Sequence, residues 1–348
     1  MTKMLPEVRF VNEPIKTNSP LVSVIIANYN YANFLRQAID SVFEQTYQNL
    51  ELIVVDDGST DRSREIIESY GDRLIAIFQK NSGQGAAFNT AIAKAKGDLV
   101  CFLDADDYFY RDKLAKVVAA FNQHPEWVQI SHGRTSIDLQ GNPIGTGYHR
   151  HNRGDVSGLL LQWGKYAWSI TSGLAYRRQT LMQILPIPTK RKEAADAYIT
   201  AAVPFYGEVG SIDEPLMFYR MHGNNLQAYN DNVEFLLQQK EAIASYINDT
   251  AAKLGLRDRF DLQKDVDHRS LKAIQQGGVS LKESLAIIGL SIRESIAIGR
   301  SPKDTIERTL RRGICALFPQ QGKIVLRLGL RGYLRSKTRS GQRAYSSN

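Results

Sequence analysis

Three carboxylates crowd into four residues at Asp104-Ala105-Asp106-Asp107, directly after the apolar run Leu99 to Leu103. Such a cluster repels itself and costs stability unless a cation or a set of donors neutralises it. A hard divalent ion, Mg²⁺ or Mn²⁺, is the economical partner, because it prefers oxygen ligands and commonly bridges one or two carboxylates to a substrate diphosphate. Three other apolar runs also end in polar residues: Asn28-Tyr29-Asn30 follows Leu21 to Ala27, Asp56-Asp57-Gly58-Ser59-Thr60-Asp61 closes Leu50 to Asp56, and Asn81-Ser82-Gly83-Gln84-Gly85 follows Leu74 to Phe78. Read alone, the Asp-Gly-Ser-Thr-Asp piece is a turn with a helix cap. Gly83 and Gly85 allow a ligand to approach the backbone closely, with Asn81 or Asn89 offering side-chain contacts. They do not make a dinucleotide fingerprint, since Phe88 stands where a third small residue belongs and the pair follows the third strand rather than the first.

The elements that must hold these residues are strands and helices in alternation. The four apolar runs suit strands of a mainly parallel sheet covered on both faces. Between the first two, Phe34, Leu35, Ala38, Ile39, Val42 and Phe43 recur at helical spacing. A second helix is expected after Ser59-Thr60-Asp61, a third after Gly85, and a fourth from about Arg111 to Asn122. Residues 127–230 are less regular, with strands expected near Trp127 to Ser131, Thr171 to Tyr176 and Val209 to Asp213. From Val233 the pattern is helical. The expected division is an N-terminal extension over 1–20, an α/β domain over 21–230 and a helical region with a basic tail over 231–348. In an open parallel sheet a ligand sits beyond the carboxyl ends of the strands, where the acids lie.

Composition excludes several classes. The 348 residues are 43% hydrophobic and 23% charged, as in ordinary globular proteins. Cys101 and Cys315 are too few and too far apart for a disulfide framework or a thiolate zinc site, which suits a reducing compartment. The first twenty residues lack the apolar core of a signal peptide, and no run reaches the ~18 apolar residues of a membrane span; a cytoplasmic protein is expected. The net charge of +8 is uneven: from Ser301 onward 11 Lys/Arg stand against Asp304 and Glu307, a net +9 that leaves −1 for residues 1–300. Basicity confined to a tail argues against a nucleic-acid binder.

In order, Val24-Ile25-Ile26-Ala27-Asn28-Tyr29-Asn30, Val54-Val55-Asp56-Asp57-Gly58-Ser59-Thr60-Asp61, Asn81-Ser82-Gly83, Asn89 and Phe102-Leu103-Asp104-Ala105-Asp106-Asp107 resemble the family 2 glycosyltransferases, whose nucleotide-sugar domain is called GT-A. The resemblance is strong over 21–110, fair to about 225 and absent beyond. It implies an inverting enzyme that moves a sugar from a nucleotide-diphosphate donor, most commonly a UDP-sugar, to an acceptor hydroxyl. The nucleotide-sugar half would be about 21–110 and the acceptor half about 111–230. Asp56 would lie at the base or ribose with Asp57 near the same pocket, and Asp104 and Asp106 would form the DxD element around ribose and the metal-bridged diphosphate, with Asp107 sharing in it. Thr171-Ser172-Gly173 and Glu193-Ala194-Ala195-Asp196 look like acceptor-side elements. They make Asp196 the expected general base and Glu193 the alternative, because many relatives carry adjacent Glu-Asp where these acids are three apart. Tyr219-Arg220-Met221-His222 resembles a segment closing the donor site, with Arg220 toward phosphate and His222 toward the metal or diphosphate.

Trp163, Tyr166 and Trp168 could stack on a sugar, though at least one is expected to fill core. Between Ile314 and Arg343, Ile324, Val325, Leu326, Leu328, Leu330 and Leu334 interleave with Lys323, Arg327, Arg331, Arg335, Lys337 and Arg339. That composition suits a helix on an anionic membrane surface. The picture is of a peripheral enzyme at the inner face of the cell membrane, using a glycan or lipid-linked acceptor. Three rivals compete. A sugar-nucleotide pyrophosphorylase needs a Gly-rich, Arg-containing loop after strand one, where Asn28-Tyr29-Asn30-Tyr31 stands. A non-catalytic nucleotide-sugar module would be expected to lack the acids or the base, and a processive synthase needs membrane spans.

Overall fold

The structure, a computed structural model, describes residues 17, 19–147, 150–189, 195–222 and 231–345, with side chains as far as Lys337. The chain divides into two compact units, one within Met1–Gly158, Tyr166–His222 and Thr250–Leu256, the other within Leu159–Lys165, Gly223–Asp249 and Arg257–Asn348.

The first unit is a mixed α/β fold. Its first strands are β1 (Val22–Asn28), β2 (Leu50–Asp56), β3 (Ile75–Phe78) and β4 (Leu99–Asp104), separated by helices α1 (Ala32–Phe43), α2 (Ser63–Glu68) and α3 (Gln84–Lys94). All three pairings among them are parallel. β5 (Tyr108–Phe109), α4 (Lys113–Gln123), β6 (Trp127–Ile137), β7 (Pro143–Gly147), α5 (Ser157–Trp163), which passes into the second unit at Leu159, β8 (Leu174–Arg177), α6 (Arg178–Ile184), α7 (Ala195–Ala202) and β9 (Glu208–Arg220) follow. The strand order is β3-β2-β1-β4-β8-β6-β9-β5, with β7 on β6. The chain winds outward from β1 in opposite directions, so the β1/β4 boundary is a topological switch point, where open α/β sheets hold ligands.

Strand alternation builds the two faces. Val22, Val24 and Ile26 of β1 pack with Leu35, Ile39 and Val42 of α1 and with Leu114, Val117 and Phe121 of α4. Ile25 points the other way, into a second core with Ala87, Phe88, Ala91 and Ile92 of α3 and Leu181 and Ile184 of α6. Register then sets the polar ends side by side, with Asn28 opposite Asp56 and Ala27 opposite Asp104.

Several elements depart from expectation. β6 runs to Ile137 and β9 to Arg220, both further than apolar patterning suggests, because their pairing passes through irregular steps around His132 and Gly133. Thr171–Gly173 is a 3-10 turn leading into β8. Ser59-Thr60-Asp61 is a turn ahead of α2, where Asp61 Oδ1 accepts from Ser63 N at 2.9 Å.

The second unit contains α9 (Val266–Gln275), α10 (Leu281–Ile298), α11 (Pro302–Leu317) and α12 (Pro319–Tyr345), preceded by α8 (Val233–Lys253), whose last residues are assigned to the first unit. Val266, Ala273, Ile287 and Ala316 form a small apolar centre. Beside it lies a buried ionic network. Arg312 donates to Asp267 Oδ1 at 2.7 Å and Glu294 Oε1 at 3.0 Å, and Lys165 Nζ lies 2.7 Å from Asp267 Oδ2 and 3.2 Å from Asp265 Oδ1. Among the described residues, no helix is long and apolar enough to cross a membrane.

Candidate active site

The loops after β1, β2 and β3 form a hydrogen-bonded set. Asn28, buried, donates through Nδ2 to Asp56 Oδ1 at 2.8 Å and to Ser59 Oγ at 3.1 Å. Asp56 Oδ2 also accepts from Ser59 N at 3.1 Å. Asn30 takes up a left-handed φ of 61°, which Asn tolerates better than most residues, and its Oδ1 accepts from Thr60 N at 2.7 Å. Tyr29 between them is 44% exposed. Asp57 turns away to organise the next loop, with Oδ1 accepting from Gln79 Nε2 (2.7 Å) and Ser82 N (2.9 Å), and Oδ2 from Gly83 N (2.7 Å). Gly83 itself has a φ of 88°. Asn81 is exposed, and its backbone nitrogen lies 2.7 Å from where a Cβ on Gly58 would stand, so only glycine fits this crossing. Asn89 is committed elsewhere. Its amide exchanges two hydrogen bonds with the backbone of Ile187, at 2.8 and 2.7 Å, which pins the α6–α7 connection rather than offering a ligand contact.

The acidic loop after β4 is tied from behind. Ser172 Oγ donates to Asp107 Oδ2 at 2.7 Å and accepts from Asp104 N at 2.9 Å, while Arg220 N donates to Asp107 Oδ1 at 3.1 Å. Burial, then the neighbouring acids Asp107, Asp106 and Asp196, hold the Asp104 carboxyl well above the usual carboxylate range. Burial and then Asp106 push Asp107 up to about 8. Asp106 Oδ2 meets His222 Nε2 at 2.8 Å, and the imidazole stacks on Phe34 with ring centroids 5.6 Å apart. Arg220 is buried, with its guanidinium on Asp106 O (3.1 Å), Leu139 O (3.3 Å) and Gln37 Oε1 (2.6 Å), so it helps to shape the acidic loop.

Asp196, in the first turn of α7, completes the set. Its Oδ2 accepts from Thr171 Oγ1 at 3.1 Å, whereas Oδ1 is shielded from solvent and has no hydrogen-bond partner among the described residues. Burial raises its pKa, against the lowering effect of Thr171 and backbone donors. Adjacent residues of one turn therefore serve both acidic groups, Thr171 on Asp196 and Ser172 on Asp104 and Asp107. Glu193 lies outside the described residues.

Patterning did not mark Lys113 as part of this arrangement. It is buried in the apolar face of α4, donates to Ser172 O at 2.7 Å and lies 3.3 Å from the Phe109 ring centroid. Burial lowers its pKa to about 7. A lysine at a core position of α4 was the available signal. Of the three aromatics, Tyr166 is core, with its hydroxyl bonded to Gln129, and Trp163 is buried in the second unit.

Among the described residues, no three His, Cys, Asp or Glu side chains converge to cage a metal unaided. The donor set still fits a divalent cation as a partial shell: the Asp106–His222 pair faces the site beside two carboxyls that resist ionisation, and diphosphate and water oxygens would complete the coordination.

A family model for glycosyl transferase family 2 matches residues 23–185. An uncharacterized glycosyltransferase of Nostoc sp. is 38% identical over 276 residues, covering 75% of this chain and 85% of that relative. One from Rickettsia typhi is 45% identical over 107 residues, and there the chain matches only 34% of the relative's length. Among solved structures, S. aureus TarS 1-349 aligns over 90% of this chain and 91% of that one, with a TM-score of 0.52 at 18% identity. Its complex with UDP-GlcNAc gives a TM-score of 0.50 at 16% identity, over 90% and 92%. The chain belongs to glycosyltransferase family 2.

Proposed function

We propose that this glycosyltransferase is inverting and metal-dependent, and that it passes a sugar from a UDP-sugar to an acceptor hydroxyl. The observation that carries this reading is the Thr171-Ser172 bridge, which ties a cluster of ionisation-resistant acids to the neighbouring carboxylate of Asp196. Two carboxylate groups with separate surroundings suit two separate tasks. Asn28, Asp56 and the Asn30–Thr60 turn line the nucleoside end, Asp57 and Gly83 hold the adjoining loop, and Asp104 and Asp106 receive ribose and diphosphate. Asp106, His222, Asp104 and Asp107 would hold Mn²⁺ or Mg²⁺, which when bound supplies Lewis-acid stabilisation of the charge growing on the leaving diphosphate. Asp196 Oδ1, without a hydrogen-bond partner among the described residues, takes the acceptor proton as the acceptor oxygen attacks the anomeric carbon from the face opposite the diphosphate. Attack from that face inverts the configuration. TarS is the reason to try UDP-GlcNAc first.

The catalytic domain is taken as 21–230, with donor half 21–110 and acceptor half 111–230, and the helical region as 231–348. On α12, Lys323, Arg327, Arg331 and Arg335 are exposed at four-residue spacing, which supports contact with an anionic membrane. That in turn suits a lipid-linked or glycan acceptor at the inner face of the cell membrane, in polysaccharide or lipid-linked glycan synthesis. The test is UDP release from a panel of UDP-sugars with Mn²⁺. Release from one sugar that is lost in Asp104→Ala supports the reading; release from none, with GDP- and dTDP-sugars equally inert, overturns it.

A further inference from the structure

Helix α10 is inverted relative to an ordinary surface helix. Its buried side is largely polar, with Ser284, Ser291, Glu294 and Ser295 around Ile287 and Ile298. Arg312 satisfies part of that side, donating to Ser291 Oγ at 2.9 Å and to Glu294. The outward side instead carries Leu281, Leu285, Ile292 and Ile296, which are 67%, 59%, 41% and 69% exposed. A surface helix of a globular protein places these residue types the other way round.

The stripe continues on the next helix. Ile306, Leu310 and Leu317 of α11 are likewise exposed. Ile288 follows Leu285 by three residues and precedes Ile292 by four, and it meets Gly313, where a Cβ would stand 3.5 Å from its side chain. Gly313 in turn follows Leu310 by three and precedes Leu317 by four. The seam between the helices therefore joins the two stripes into one surface, and a contiguous exposed apolar patch marks an interaction site.

Charge selects the occupant. The exposed charged residues of α10 and α11 are Lys282, Arg293 and Lys303. The acids Glu283, Asp304 and Glu307 are only partly exposed, and the first two are bonded to Arg269 and Ser301. A second copy of the chain would bring this cationic rim against itself, whereas an anionic lipid surface accepts both the apolar stripe and the cations.

We propose that the joined outward face of α10 and α11 is a membrane-docking surface that seats on anionic lipid. The proposal deepens the membrane contact read from α12 and rests on that reading for the kind of surface met. The test uses full-length protein in flotation with phosphatidylglycerol/phosphatidylcholine vesicles and with phosphatidylcholine alone. Two triple variants separate the surfaces: Leu285→Ser/Ile292→Ser/Ile296→Ser on α10, and Lys323→Gln/Arg327→Gln/Arg331→Gln on α12. Circular dichroism checks folding, and light scattering gives the oligomeric state. The proposal expects flotation that needs phosphatidylglycerol and that weakens at least about tenfold in the folded α10 variant. Unchanged flotation of that variant overturns the docking face, while loss in the α12 variant would leave the tail reading standing. Failure of the parent protein to float overturns both. Conversion of a dimer to a monomer by the α10 variant, with flotation unchanged, would assign the face to a second copy and refute the proposal.

Discussion

Replacing Asp196 with Asn should separate donor binding from sugar transfer. The substitution preserves volume and a hydrogen bond to Thr171 Oγ1, now 3.1 Å from Oδ2, so the turn that also serves Asp104 and Asp107 keeps its place. What disappears is the basic oxygen, Oδ1, which no described residue engages. A positioned general base contributes about 10²–10⁴-fold, or roughly 3–5 kcal/mol of barrier, and kcat should fall by that factor. Burial holds the Asp196 carboxyl above its ordinary pKa, so the parent enzyme should lose rate as pH falls through that raised value. The variant's residual rate should lack this acid limb. Single-turnover UDP release with acceptor present measures the rate, and calorimetry of UDP with Mn²⁺ measures donor affinity. Transfer within about threefold of the parent's would remove Asp196 from the base role. Loss of donor binding alongside transfer would make it a structural residue of the site.

Two further predictions concern stability. Asp107 is raised from 3.8 to about 8, so the native state holds its proton more tightly than the unfolded chain does. Its contribution is full at low pH and is lost as pH climbs through about 8. Asp107→Asn should flatten the decline of melting temperature between about pH 5 and 8, and an unchanged slope would contradict the assignment. In the second unit, Arg312→Met takes the 3.0 Å partner from Glu294, which is fully buried and keeps Lys165 Nζ at 3.5 Å, and should cost roughly 3–5 kcal/mol in urea unfolding. A loss under about 1 kcal/mol would mean that the buried network is not held by Arg312.

The parallel half of the fold was legible because Val24 to Ile26, Ile53 to Val55 and Val100 to Leu103 are continuous apolar runs, and a sheet covered on both faces needs little else. The later strands were not. Buried β6 carries His132, Gly133 and Thr135, so neither alternation nor an apolar run marks its second half, and its partner β9 shifts register there. The acidic cluster announced itself by charge repulsion, yet the partners that shape it did not. Which of two adjacent acids faces inward depends on loop geometry, and Asp57 spends its oxygens on Gln79, Ser82 and Gly83. Asn89 finds its partner 98 residues away. Lys113 and Ser172, separated by 59 residues, meet only because β4, α4 and the turn before β8 converge. The inward polar side of α10 was equally hidden, since the cation that satisfies it, Arg312, lies on another helix.

The central claim is that the acids after β4 bind a nucleotide diphosphate through a metal. Isothermal titration of UDP, GDP and dTDP into the parent protein and Asp106→Ala, each with and without Mn²⁺, tests it most directly. The account predicts that one nucleotide binds, that it needs Mn²⁺, and that Asp106→Ala abolishes the metal-dependent part while the protein stays folded. Binding that is indifferent to both Mn²⁺ and Asp106, or no binding of any nucleotide, would contradict it.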